Sequence, residues 1–263
     1  MIVWSTIEAS CPICSNRTRL REVGSGFVQG QDSDLLVRMG GKHIIQAEIH
    51  TCNKCRFSGY ASDFVRTISP PARTRFIEEV APTLVDDPGS TTSRGLSPQK
   101  TPLPDVQYHW AARTAEALGL PACEQADRWV RAYWCLRLAP SSYVADALKK
   151  SLKKLYLTRA ISRLRQGLRS DRDRNRVFLV GELSRRNNNF LMASHYLRRF
   201  VERENGAPYL KAAALKLLEL SQKRVSQDLT LEEVLYGAKP GKAKPGNSTP
   251  DVRPRGGTPG DMG

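Results

Sequence analysis

Two short cysteine pairs, Cys11-Pro12-Ile13-Cys14 and Cys52-Asn53-Lys54-Cys55, narrow the folds open to this chain. The Cys-x-x-Cys spacing lets both thiolates of a tight knuckle turn onto one ion. Two knuckles complete a tetrahedral four-thiolate shell, the closed, structural kind of zinc site with no position left for a substrate. Cys11, Cys14, Cys52 and Cys55 are therefore expected to hold structural Zn2+ in a small N-terminal module. With four thiolates present, His43 and His50 are surplus as ligands. Redox catalysis through either pair would need a thioredoxin-like strand–helix context that the flanking sequence lacks. Cys123 and Cys135, twelve positions apart, fall about 120° apart around one helix and cannot share an ion. Both read as buried small hydrophobes.

The residues around the knuckles suit strands. Thr18–Val23 reads as one, and Leu35–Met39 and Lys42–Thr51 flank Gly40-Gly41, whose glycines accept the positive φ of a tight hairpin. The 37 residues between the pairs exceed the ~15–20 of a compact ribbon, and the hairpin gives the extra length a use. The expected fold class is α+β: a zinc-ribbon-like β module over 1–68, a linker over 69–104, an all-α helical-hairpin domain over 105–236 and a disordered tail over 237–263. Ser69-Pro70-Pro71 opens the linker, which has room for a short helix at Ala72–Val80.

Helical patterns then follow: a helix through Trp110, Ala111, Ala115 and Leu118, ended by Gly119 and Pro121; Ala122–Leu138; a long helix capped by Ser141 or Ser142 and reaching Leu168; then Arg174–Arg186, Phe190–Glu204 and Pro208–Arg224. Thr230-Leu231-Glu232-Glu233 is a capping box for a last short helix. Val180, Gly181, Ala193 and Leu197 have the spacing of a tetratricopeptide-like hairpin, with Asn187-Asn188-Asn189 as its turn. The tail, with 7 Gly and 5 Pro in 27 residues, cannot bury enough surface to offset its chain entropy.

Charge is unevenly spread. Of the net +15, the stretch 149–186 alone holds 13 basic against 3 acidic residues, a local +10. Lys149, Lys150, Lys153, Lys154, Arg159, Arg163, Arg165 and Arg169 form its basic run and are the candidate polyanion contacts. Tyr156 is the one aromatic nearby, so phosphate contact without base reading is all the run supports. Asp171, Asp173 and Glu182 are too flanked by arginine to make a carboxylate metal site. There is no nucleophile–base set, no phosphate-cradling glycine loop and no hydrolase metal motif, so the chain reads as a non-enzyme with no evident small-molecule substrate. No basic leader opens it and no apolar run approaches the ~18 residues of a membrane span. A cytoplasmic protein without membrane partners is expected.

The cysteine pairs, Asp32-Ser33-Asp34, the Arg56-Phe57-Ser58 that follows Cys55, and Gly181-Glu182-Leu183-Ser184-Arg185-Arg186 together resemble an uncharacterised prokaryotic family that carries a domain-of-unknown-function label. Its members join a double-cysteine zinc-ribbon-like part to tetratricopeptide-like helices. The resemblance covers roughly residues 9–66 and 105–225. It implies that the four thiolates are metal ligands and supplies no reaction. Ser15 and Arg56 stand where such knuckles often have glycine. The expected function is a zinc-binding scaffold for a protein or peptide partner. The alternative is a nucleic-acid-binding protein using 149–186 and the ribbon, and a metal-responsive redox sensor is a third class.

Overall fold

The computed structural model describes residues 3–25, 28–39, 44–86, 102–140, 144–168, 173–202 and 207–237. Gly40, Gly41, His43, Ser141, Ser142, Arg169 and Asp171, the later part of the expected linker and the tail beyond Gly237 lie outside the described residues.

The N-terminal part consists of three antiparallel strand pairs: β1 (Val3–Ser10) with β2 (Arg17–Ser25), β3 (Val28–Gln31) with β4 (Val37–Met39), and β5 (His50–Thr51) with β6 (Ser58–Gly59). Ser10 pairs with Arg17 and Thr51 with Ser58, so each cysteine knuckle is the turn of its own hairpin. The turn expected at Gly40-Gly41 lies outside the described residues, and its two arms do not pair with each other among the described residues: β4 pairs back to β3, and of residues 44–51 only His50–Thr51 is strand, while Ile44–Gln46 is a 3-10 turn. The reason is burial. Ile44, Ile45 and Ile49 are all buried, an i, i+1, i+5 pattern that no alternating strand could satisfy. The Tyr108 hydroxyl also donates to the Ile45 carbonyl, using an acceptor that a neighbouring strand would need.

Helices dominate the rest. After α1 (Ala61–Phe64), α2 (Pro70–Arg75) continues through a π-helical turn at Phe76–Val80 to α3 (Thr83–Asp86). Next come α4 (Pro104–Ala117), α5 (Ala122–Leu138), α6 (Asp146–Gly167), α7 (Arg174–Arg186), α8 (Phe190–Val201), α9 (Pro208–Gln222) and α10 (Leu231–Tyr236). The local chemistry explains their ends. Gly119 takes φ +64 and closes α4 while the Leu120 N–H donates to the Ala115 carbonyl. Asn188 supplies φ +60 between α7 and α8, and the Asn189 side chain caps the Met192 N–H. Thr230 and Glu233 form the expected capping box. α6 begins at Asp146, later than expected, with Ala145 as an N-cap that offers no side-chain acceptor.

Consecutive helices α4–α5, α5–α6, α7–α8 and α8–α9 pack on one another. The largest apolar cluster lies among α4 to α7, around Tyr108, Trp129, Tyr133 and Tyr156, and takes in Leu36, Ile45 and Ile49 from the strand region. A second joins the knuckles to the helices: Cys11, Ile13, Leu20, Cys52 and Phe57 pack with Phe64, Phe76, Leu84, Val106 and Trp110. A third fills the space among α7 to α10, around Phe178, Leu197, Phe200 and Leu217. Among the described residues, no helix is long and apolar enough to cross a membrane.

Candidate functional site

Each knuckle is built by the same backbone device. The Ser15 N–H donates to the Cys11 carbonyl and the Cys11 N–H to Asn16; the Arg56 N–H donates to Cys52 and the Cys52 N–H to Phe57. The residue after the second cysteine must then turn left-handed, and Ser15 (φ +59) and Arg56 (φ +63) do so where glycine would be easiest. The Asn16 amide ties the knuckles together, donating to the Asn53 side chain at 2.8 Å with the Cys52 sulfur at 3.9 Å.

The four sulfurs converge. Cys11 Sγ lies 3.5 Å from Cys55 Sγ, Cys14 Sγ lies 3.6 Å from Cys52 Sγ, and all four atoms are within 4.8 Å of one another. A tetrahedral Zn–S bond of about 2.3 Å places its sulfurs roughly 3.8 Å apart, so the quartet has the dimensions of a four-thiolate metal shell. The thiols alone are a poor assembly. The hydrogen bond to Cys52 pushes the Cys11 thiol up to about 12, the bonds to Cys11 and Cys52 push Cys55 up, and those from Cys11 and Cys55 drive Cys52 down. A divalent soft cation would replace those shared protons with four thiolate bonds. The shell rests on Phe57, which meets Phe64 and Phe76 edge-to-face at centroid distances of 5.1 and 6.0 Å. His50 points elsewhere, with its Nε2 facing the Arg21 carbonyl at 3.0 Å, and burial lowers its pKa. Cys123 and Cys135 stand apart from the quartet as free thiols.

A second constellation brings together two of the motifs that carry the family resemblance, a meeting the sequence-based expectations did not include. Asp32, Ser33 and Asp34 are fully buried, as are Glu182, Arg185 and, at 2% exposure, Arg186. Asp32 pairs with Arg38 at 2.6 Å and Arg137 at 2.6 Å, and Asp34 with Arg186 at 3.1 Å, Arg137 at 3.3 Å and the Trp134 indole N–H at 2.9 Å. Glu182 accepts from Ser33 Oγ at 2.6 Å, from Arg185 Nε and Nη2 at 2.7 and 2.8 Å, and from Arg186 Nε at 2.7 Å. Asp228 reaches Arg186 at 2.9 Å. Four carboxylates thus meet four guanidiniums across the strand region, α5, α7 and the segment before α10.

Burial would raise Glu182, but Arg186 and Arg185 hold it below the usual carboxylate range. For Asp34 burial wins over Arg186 and Arg137, and its pKa is raised. The signal available in the sequence is the i, i+3 and i, i+4 spacing of Glu182 with Arg185 and Arg186. Their partners, about 150 residues away, carry no local signal. Arg185 and Arg186 contribute to the basic excess of 149–186, yet their charges are buried and paired.

The basic run divides on α6. Lys150, Lys154, Arg159 and Arg165 are exposed. Lys149 donates to the Ala139 carbonyl at 3.2 Å, Lys153 lies 3.8 Å from Asp228, and Arg163 pairs with Glu116 at 3.0 Å. Tyr156 is buried against His109 and Trp129 and offers no face to a base.

A family model described as "Uncharacterized protein conserved in bacteria (DUF2225)" matches residues 5–220. No curated protein and no solved structure matches the chain.

Proposed function

The chain belongs to this DUF2225 family of bacterial proteins, and from that premise we propose that it is a zinc-stabilised, non-catalytic scaffold that holds a protein or peptide partner on its helical part. The observation that carries the reading is the closed quartet of Cys11, Cys14, Cys52 and Cys55, which fills every ligand position with protein sulfur. The quartet shares its core with Val106 and Trp110 of α4, so the ion would hold the strand region against the helices. Leu191, Tyr209 and Leu215 expose apolar side chains on α8 and α9, material that a partner would cover.

The test is recovery of the tagged, metal-loaded protein from its native cells, half of the sample treated with nuclease, followed by identification of what co-purifies. The scaffold reading expects a protein partner that survives nuclease and is lost in a Leu191→Asp/Leu215→Asp variant whose metal content and circular dichroism are unchanged. Nuclease-sensitive recovery, or substrate turnover by protein with its thiolates intact, refutes it.

A second reading, nucleic-acid binding, is favoured by the exposed side chains of Lys150, Lys154, Arg159 and Arg165 on α6. With Tyr156 buried, it would rest on phosphate contact alone. If six or more phosphates are neutralised, affinity falls by about 10³-fold or more between low and moderate salt. Charge reversal at Lys149, Lys150, Lys153 and Lys154 should abolish the binding. Insensitivity to that reversal removes the reading.

A further inference from the structure

Where α5 ends and α6 begins, the surface carries an open pocket of about 370 Å3. That lies at the small end of the ~300–1,000 Å3 typical of small-molecule sites. The charge of its walls is one-sided. Three ammonium groups, of Lys149, Lys150 and Lys153, line it from the first two turns of α6. Lys149 and Lys150 pair with no carboxylate among the described residues, and Lys153 pairs with Asp228 at 3.8 Å. Lys149 Nζ donates to the Ala139 carbonyl, which leaves its charge in place. The Asp228 carboxylate stands 3.8 Å from Lys153 and already accepts from Arg186 at 2.9 Å and the Tyr133 hydroxyl at 3.1 Å. Asp146, exposed in the first turn of α6, is the remaining carboxylate of the lining.

One further feature favours an anion. α6 is 22 residues long and its N-cap, Ala145, offers no side-chain cap, so the positive end of its dipole lies beside the lysines, with Asp146 the acidic residue of the first turn. The ring of Tyr133 and the side chain of Leu136 supply an apolar side.

We infer that this pocket binds a small phosphorylated molecule, its phosphoryl group held by Lys149, Lys150 and Lys153 at the N-terminus of α6. A phosphate matches the wall better than a carboxylate does: it presents three acceptor oxygens to three ammonium donors. Lysine suits this role as a point charge, without the fixed geometry of a guanidinium fork. Lys150 is exposed and the Lys153 side chain is 38% exposed, so the mouth is open to solvent while Tyr133 and Leu136 close the far side. The site does not depend on the scaffold reading, since no residue of the thiolate quartet lines it.

The probes are inorganic pyrophosphate, ADP and a 12-nucleotide single strand without terminal phosphates, each titrated calorimetrically into full-length metal-loaded protein. Pyrophosphate is expected to bind at one site, and ADP to compete with it. ADP binding more tightly identifies a nucleotide as the source of the phosphate; equal binding identifies a free diphosphate group. Lys150→Ala and Lys153→Ala should each weaken binding at least about tenfold, the loss expected for one charge-assisted hydrogen bond. Arg159→Ala and Arg165→Ala, exposed farther along the same helix, should leave it unchanged. Lys150 is exposed, so its variant tests the site without disturbing the core. No saturable heat with pyrophosphate overturns the inference. So does an equal loss in the Arg159 variant, or displacement of pyrophosphate by the oligonucleotide, because either outcome assigns the charge to a diffuse surface.

Discussion

Replacing Glu182 by glutamine isolates the cost of breaking the buried charge network while keeping the shape of the side chain. The two carboxylate oxygens accept from Ser33, Arg185 and Arg186. Arg186 would retain Asp34 and Asp228. Arg185 would retain only the carbonyls of Val225 at 2.7 Å and Gln227 at 2.9 Å, and its side chain has no solvent exposure. A buried cation stripped of its counter-charge costs about 3–5 kcal/mol. With a urea m-value near 3 kcal/mol per M, the midpoint falls by roughly 1–1.7 M.

The paired control is Asp34→Asn. Burial raises the pKa of Asp34, so the ionised form is disfavoured where it sits. A neutral isostere should therefore cost clearly less than Glu182→Gln does. The pH dependence separates the two groups further. The depressed pKa of Glu182 contributes stability that is present above its unfolded value of about 4.3 and is lost as pH falls through the folded value. The raised pKa of Asp34 contributes stability that is present below about 3.9 and is lost as pH rises through the folded value. The assay is urea unfolding at pH 7 and at about pH 3, on either side of the unfolded carboxylate values, followed by tryptophan fluorescence, with Trp134 inside the network as reporter. Equal midpoints for the two variants, or a loss below about 1 kcal/mol for Glu182→Gln, refutes the picture of Arg185 as a cation that depends on Glu182.

Cys52→Ser should abolish stoichiometric metal, read by elemental analysis and by loss of the thiolate–cobalt absorption in cobalt-substituted protein. In the wild type, metal uptake should weaken as pH falls because protons compete for the thiolates. Gly181→Ala should destabilise: its Cβ would lie 2.7 Å from Leu197 Cγ and 3.2 Å from the Leu197 backbone N. The overpacking cost of about 1–3 kcal/mol outweighs a helix-propensity gain of about 1; a raised melting temperature would contradict that close approach. Ser15→Gly should leave metal content unchanged and melt no lower than wild type, since relief of left-handed strain of about 1–2 kcal/mol covers the chain entropy of glycine, about 0.5–1.

What the sequence made legible was chemistry whose partners are close along the chain. The helices after residue 104 (apart from the later start of α6), the left-handed asparagine at 188 and the capping box at Thr230 are short-range features, and they stand where their residues put them. The cysteine quartet spans a longer interval but is announced by residue type alone. Long-range partnership was not legible. Ile44, Ile45 and Ile49 look like one arm of a hairpin until the helices that bury them are in place. Arg185 and Arg186 look like surface charge until Asp34, Glu182 and Asp228 surround them. β1 was not anticipated either; it is defined by its register with β2.

The Asp32-Ser33-Asp34 turn is completed by residues made much later. Ser33 N–H donates to the Leu229 carbonyl, and Asp32 bridges to Thr230. At roughly 5–20 residues per second, about 10–40 s of synthesis separate the two sides of that contact. Both knuckles, by contrast, exist once Cys55 has emerged. A nascent chain can therefore bring its four thiols together early and then wait, with two aspartates and their arginine partners still in water, until Leu229 and Thr230 arrive to close over them. Truncation before Leu229 would leave an intact thiolate quartet on a chain whose charged centre has no lid.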